Sequence, residues 1–180
     1  MIRLLQDNVY AAGALLLLRL YLGYQWISAG IHKLTGGFDA SGFLTNAVTK
    51  PLTDKASGEL LYPTYTAFIQ HGALPNVKLI NFLIPAGETL VGLGLILGAL
   101  TTSAAFFAVL MNFMFLLSGS VSSNPWFILL GSVIILAGAN AGRFGIDHYL
   151  QPIIARGLRR RKLAKTAKSG PHFPGPNPTA

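Results

Sequence analysis

The chain of 180 residues is 52% hydrophobic and only 11% charged. A soluble domain of that size carries about a quarter charged residues, so this composition excludes an ordinary water-coated globule. The absence of cysteine excludes disulfides, thiol redox chemistry, iron–sulfur clusters and cysteine-ligated zinc. The net charge of +8 matters through its placement, because Arg156, Arg159, Arg160, Arg161, Lys162, Lys165 and Lys168 all follow the last apolar run.

Four apolar runs appear in order: Tyr10–Ile31, Val77–Leu100, Ser103–Gly119 and Pro125–Ala141. A helix crosses the hydrocarbon core with about 20 apolar residues, about 17 at the short end, so all four are read as spans. The first is expected to be a span rather than a cleaved signal peptide, since Arg19 sits in its centre and three more runs follow. The basic stretch after the fourth run places that end in the cytoplasm, and four spans bring the N-terminus with Arg3 to the same side. Beside a span, such a stretch is an orientation signal and a contact for anionic membrane lipid, not a nucleic-acid arm.

Residues 33–76 then form a long external loop, too long to be an idle connector. Within it, Ser41–Thr49 and Tyr62–Gln70 carry spaced apolar residues, and Pro51, Gly58 and Pro63 punctuate them. Short surface helices capping the bundle are expected there. At the other end, residues 151–180 form a basic cytoplasmic tail. From Ser169 onward it holds Pro171, Pro174, Pro176 and Pro178 without periodicity, the pattern of a disordered segment. The expected fold class is all-α: a transmembrane four-helix bundle over residues 1–150, with that loop and tail.

Ionisable residues at membrane depth are costly and pair with one another. Arg19, Gly23, Trp26, Gly30 and Lys33 share one face of the first span, and Asn81, Pro85, Glu88 and Gly92 share one face of the second. Counted from the inner ends, Arg19 lies about nine residues deep and Glu88 about twelve, a mismatch near 5 Å at about 1.5 Å per residue. Arg19 and Glu88 are therefore expected to pair, with Asn112 of the third span completing the cluster. Gly94 with Gly98, and Gly138 with Gly142, read as small-residue pairs for close helix packing. On the fourth run, Ser132, Leu136, Asn140, Arg143 and Asp147 are expected to continue down one face, with Arg143 and Asp147 paired at the inner surface.

The strings Arg19-Leu20…Gly23…Gly30-Ile31-His32-Lys33-Leu34, Pro85-Ala86-Gly87-Glu88…Gly92-Leu93-Gly94…Gly98 and Gly142-Arg143-Phe144-Gly145-Ile146-Asp147 resemble, in order and spacing, the signatures of the DoxX family. The resemblance covers roughly residues 10 to 150. It implies a four-helix membrane protein related to the DoxD subunit of thiosulfate:quinone oxidoreductase, which works with a second subunit. The long 33–76 segment is closer to the DoxD-like members.

The four histidines, His32, His71, His148 and His172, fall at no common depth on facing helices, so neither a haem nor a metal site is expected. What remains is a pocket for a neutral, partly apolar molecule near the outer half of the bundle, and the resemblance implies that this molecule is a quinone. Arg19, Glu88 and Asn112 are the expected catalytic core. Trp26, His32, Lys33 and Trp126 are the expected substrate- or quinone-binding residues, with a lysine on the outer side favouring an anionic sulfur substrate. The expected function is the membrane subunit of a quinone-linked oxidoreductase in the cell membrane, oxidising thiosulfate or a related compound. The alternative is a non-catalytic scaffold or accessory subunit anchoring a second protein of a respiratory complex. A small-solute transporter is disfavoured by the lack of paired broken helices.

Overall fold

The computed structural model describes residues 2–150 together with 152, 153 and 156. Most of the basic cluster, the proline-rich segment from residue 169 and His172 therefore lie outside the described residues. The described elements are helical: α1 Ile2–Asp7, α2 Val9–Thr35, α3 Ser41–Thr49, α4 Pro63–Phe68, α5 Val77–Leu97, α6 Thr101–Leu117 and α7 Asn124–Ala137. A wide π-type turn at Ile69–Ala73 follows α4, and a tight 3-10 turn at Gly138–Gly142 follows α7.

Three of these segments are long and apolar enough to cross a membrane: Val9–Thr35, Val77–Leu97 and Asn124–Gly142. The apolar α6 is shorter. Each is apolar outside as well as inside, the composition of a helix solvated by lipid. On α2 the buried stripe Ala12, Leu15, Arg19, Leu22, Trp26 and Gly30 keeps three-and-four spacing, while Leu17, Tyr21 and Tyr24 on the far side are exposed. The Asn8 side-chain oxygen starts α2 by accepting from the amides of Tyr10 at 2.7 Å and Ala11 at 3.4 Å. Asn140 then donates to the carbonyls of Leu5 and Asn8, at 2.7 and 2.9 Å. The N-terminal helix and the end of α7 thus meet at one end of the bundle.

Close approach of α2 and α5 sets the register. A Cβ on Gly92 would stand 2.5 Å from the Ile27 amide nitrogen and 2.7 Å from its Cα. On the other helix, a Cβ at Gly23 would meet Ile96 at 2.7 Å, and one at Gly30 would collide with Thr89. The predicted facing stripes therefore do face each other, with glycines as the contact points. Gly92→Ala forces a methyl into backbone, so we expect it to destabilise the detergent-solubilised protein by about 1–3 kcal/mol. Thermal unfolding monitored by circular dichroism checks this.

The 33–76 segment builds its own small core. Ala40, Leu44, Ala47, Ile69 and Ala73 are buried together, so α3 packs on the π-type turn. The two helices expected from the apolar spacing are present within a residue or so of their predicted starts. Asp39 fixes the start of α3: its Oδ1 accepts from the Ser41 hydroxyl at 2.7 Å, the Ser41 amide at 3.0 Å and the Asn81 side-chain amide of α5 at 3.1 Å. The Ser41 hydroxyl first, then the Ser41 amide and Asn81, hold this carboxyl below its ordinary value. The cap is therefore fully present above the ordinary carboxylate value of about 3.9 and is lost as pH falls through the lowered one. Nuclear magnetic resonance of the Asp39 carboxyl should show a midpoint below about 3.9, and Ser41→Ala together with Asn81→Ala should move it upward.

Three expectations fail at the end of α7. Gly138 takes φ +56° and closes the helix, so Gly138 and Gly142 are not a packing pair on one helix face. Nor does one face run from Ser132 to Asp147, because the 3-10 turn intervenes. Arg143 and Asp147 make no ion pair; Asp147 is engaged elsewhere.

Candidate functional site

Arg19 and Glu88 do not pair. The glycine contacts put Arg19 beside Gly98, where a Cβ would overlap the guanidinium. Ten residues of α5, about 15 Å of helix, separate Gly98 from Glu88. Counting depth from the ends of apolar runs misplaced the register, because α2 and α5 are offset along their axes. The polar interior is consequently two sites at opposite ends of the α2–α5 contact.

The first site is a clamp. Arg19, 1% exposed, donates from Nη1 to the Ala141 carbonyl at 3.1 Å and from Nη2 to the Phe144 carbonyl at 2.8 Å. Asp147 supplies the nearby negative charge. The Asp147 carboxylate is spent on backbone: Oδ1 accepts from the Leu100 amide at 2.7 Å and Oδ2 from the Thr101 amide at 2.8 Å, capping α6. The Asp147 amide in turn donates to the Gly98 carbonyl at 2.7 Å and that of Ile146 to Leu97 at 3.1 Å. Gly142–Asp147 is thus a strap holding the α5–α6 corner, and Arg19 is its buried rivet. The hydrogen bonds of Arg19 are internal to the clamp, while its Nε and the Thr101 hydroxyl are buried with no hydrogen-bond partner among the described residues.

The second site opens at the other end, where α2 finishes and α5 begins. Lys33 Nζ stands 2.7 Å from both Glu88 oxygens, the one ion pair among the described residues. Glu88 is 3% and Lys33 29% exposed, so the pair runs from the interior towards the rim. It borders a cavity of about 380 Å³ walled by Trp26, Asn112 and the rings of Phe38, Phe43, Phe115 and Phe127. The Lys33 ammonium also lies 5.7 Å from the Phe38 ring centre.

Two donors in this wall have no partner. Trp26 Nε1 and Asn112 Nδ2 are buried and make no hydrogen bond among the described residues. A buried unsatisfied donor costs about 1–3 kcal/mol, so two in one cavity wall mark a place for an acceptor atom. A carboxylate has about four acceptor positions, and Lys33 alone addresses those of Glu88. The arrangement is suited to a neutral, flat molecule with carbonyl oxygens: the ion pair cancels its own charge, aromatic rings flank the space, and N–H groups await oxygen.

Of the residues expected from sequence, Trp26, Lys33, Glu88 and Asn112 come together here. Arg19 does not, being in the clamp. His32 is exposed and absent from the cavity wall, and Trp126 is 65% exposed on the outer side of α7. Both are therefore removed from the set. Sequence reasoning missed Gln25, Ser120, Ser122, Ser123 and Asn124, the further polar residues of the cavity wall. The cluster of serines before Asn124-Pro125 was the available signal, since a span-to-span connection has no need of so many hydroxyls.

Residues 14–119 match the DoxX family, a stretch of more than half the chain. No curated protein and no solved structure matches it. The chain belongs to the DoxX family and is a multi-pass membrane protein.

Proposed function

We propose that this DoxX-family protein is the quinone-side membrane subunit of an oxidoreductase, its head-group site formed by Trp26, Lys33, Glu88 and Asn112. The observation that carries the reading is the pair of buried, unpartnered donors, Trp26 Nε1 and Asn112 Nδ2, beside a lysine–carboxylate pair in an aromatic cavity. In this reading α6 also crosses and completes a set of four spans, the 33–76 segment is external, and both termini are cytoplasmic with the basic tail against anionic lipid.

Bound quinone supplies an acceptor for two electrons and two protons. Trp26 and Asn112 donate to its carbonyl oxygens and thereby lower the cost of placing charge there. Lys33 holds a proton 2.7 Å from Glu88 and reaches the rim, so the pair connects the buried wall to water for proton delivery. Oxidation of two thiosulfate ions to tetrathionate releases two electrons and no protons, so both protons must come through the protein. By the DoxD-like resemblance, thiosulfate or a related sulfur anion is the proposed donor and a second subunit the site of its oxidation; the chain's lack of cysteine suits that division of labour.

The chain has two tryptophans, so Trp126→Phe leaves Trp26 as a single fluorescent reporter inside the cavity. In nanodiscs, a short-chain quinone is expected to quench Trp26 saturably, and Asn112→Ala to weaken the apparent affinity at least tenfold, about 1.4 kcal/mol. Linear, non-saturable quenching unaffected by Asn112→Ala would overturn the reading and leave the accessory-subunit alternative.

A further inference from the structure

A second cavity adjoins the first. It measures about 240 Å³ and lies beneath the cap formed by α3, α4 and the π-type turn, against α5 and α6. The two cavities share three wall residues: Phe43, Ile84 and Phe115. Phe43 and Phe115 meet edge to face at 6.0 Å and form the boundary. The walls differ sharply in chemistry. Every residue lining the second cavity is apolar except Tyr65. The Tyr65 hydroxyl is already committed, donating to the Met114 carbonyl at 2.7 Å and standing 2.6 Å from the Ser118 hydroxyl. The chamber therefore offers a ligand contact area without directed polar bonds, and the side chains of Met111 and Met114 give it an adaptable wall.

A polar, donor-bearing cavity joined to an apolar one across a ring pair matches an amphiphile, with a carbonyl-bearing head in one and a hydrocarbon chain in the other. We infer that the chamber under the α3–α4 cap receives the proximal part of the apolar tail of the quinone whose head lies against Lys33–Glu88. Phe43, Ile84 and Phe115 are then the neck between head and tail, and the cap helices act as a tail-specificity element. The inference rests on the quinone reading of the head site and goes beyond it, since a head site alone makes no demand on tail structure.

The test compares a tail-less dimethoxy-benzoquinone with analogues bearing one and two isoprene units, read by quenching of Trp26 in the Trp126→Phe background. Ala73→Leu in the turn and Met111→Phe in α6 narrow the chamber from opposite walls, so a folding defect in one leaves the other informative. The expected result is unchanged affinity for the tail-less quinone and at least a tenfold loss for the tailed analogues in either folded variant. Tailed analogues unaffected by both substitutions would overturn the chamber while leaving the head site standing. If a phospholipid co-purifies with the wild type, is lost from both variants and is not displaced by tailed quinone, the chamber is a lipid seat and the inference also falls. No saturable binding of any quinone to the wild type would overturn head and tail together.

Discussion

Lys33→Met is expected to destabilise the protein by about 3–5 kcal/mol, the penalty of leaving one member of a buried pair without its partner. The cost is steep because Glu88 is 3% exposed and, among the described residues, Lys33 is its only hydrogen-bond donor. Glu88→Gln should cost far less, about 1 kcal/mol. The glutamine carbonyl still accepts from the ammonium, and Lys33, 29% exposed, can extend towards the rim. The double variant Lys33→Met with Glu88→Gln should recover most of the loss, giving a coupling energy of at least about 2 kcal/mol. Reversible unfolding of the four proteins in mixed micelles measures the cycle. Equal costs for the two single variants would mean that Lys33 and Glu88 do not meet in the interior. Quinone quenching should fall in both single variants and stay intact in Arg19→Met, because Arg19 belongs to the clamp at the other end.

That last contrast shows what the sequence could and could not reveal. The helical class, three helices long and apolar enough to cross a membrane and the two short helices of the 33–76 segment follow from hydrophobic periodicity and length, which are local properties. The face of α2 carrying Arg19, Trp26 and Lys33 and the face of α5 carrying Glu88 and Gly92 were likewise legible from three-and-four spacing. Their sliding register was not. It depends on where Gly23, Gly30 and Gly92 let backbones touch, a relation between two helices that neither encodes alone. Arg19 and Lys33 are both basic and on the same stripe, 14 residues or about 21 Å of helix apart, so the register alone decides which of them meets Glu88. His32 and Trp126 lie outside the cavity wall for a different reason: closeness to a span end fixes depth but not azimuth, and both are exposed.

The strap beyond α7 was equally hidden, since every bond that residues 146 and 147 make to the α5–α6 corner ends on a backbone group of residues 97–101, which any residue carries. Its test is Asp147→Ala, expected to cost about 3–5 kcal/mol. The substitution removes both acceptors of the Leu100 and Thr101 amides and strips Arg19 of its nearby countercharge. Leu100 aggravates the loss: it sits at φ 51°, a left-handed conformation costing a non-glycine residue about 1–2 kcal/mol, and Asp147 is what holds it there. Asp147→Asn retains one acceptor and should cost about half as much. Arg19→Met should fall between them, because it frees the Ala141 and Phe144 carbonyls but leaves Asp147 its two amide donors. Hydrogen exchange should localise the damage: the first amides of α6 lose protection in Asp147→Ala and keep it in Arg19→Met. If both variants instead expose the same amides to the same degree, cap and rivet are one interaction, and Arg19 and Asp147 contact each other more directly than the strap geometry describes.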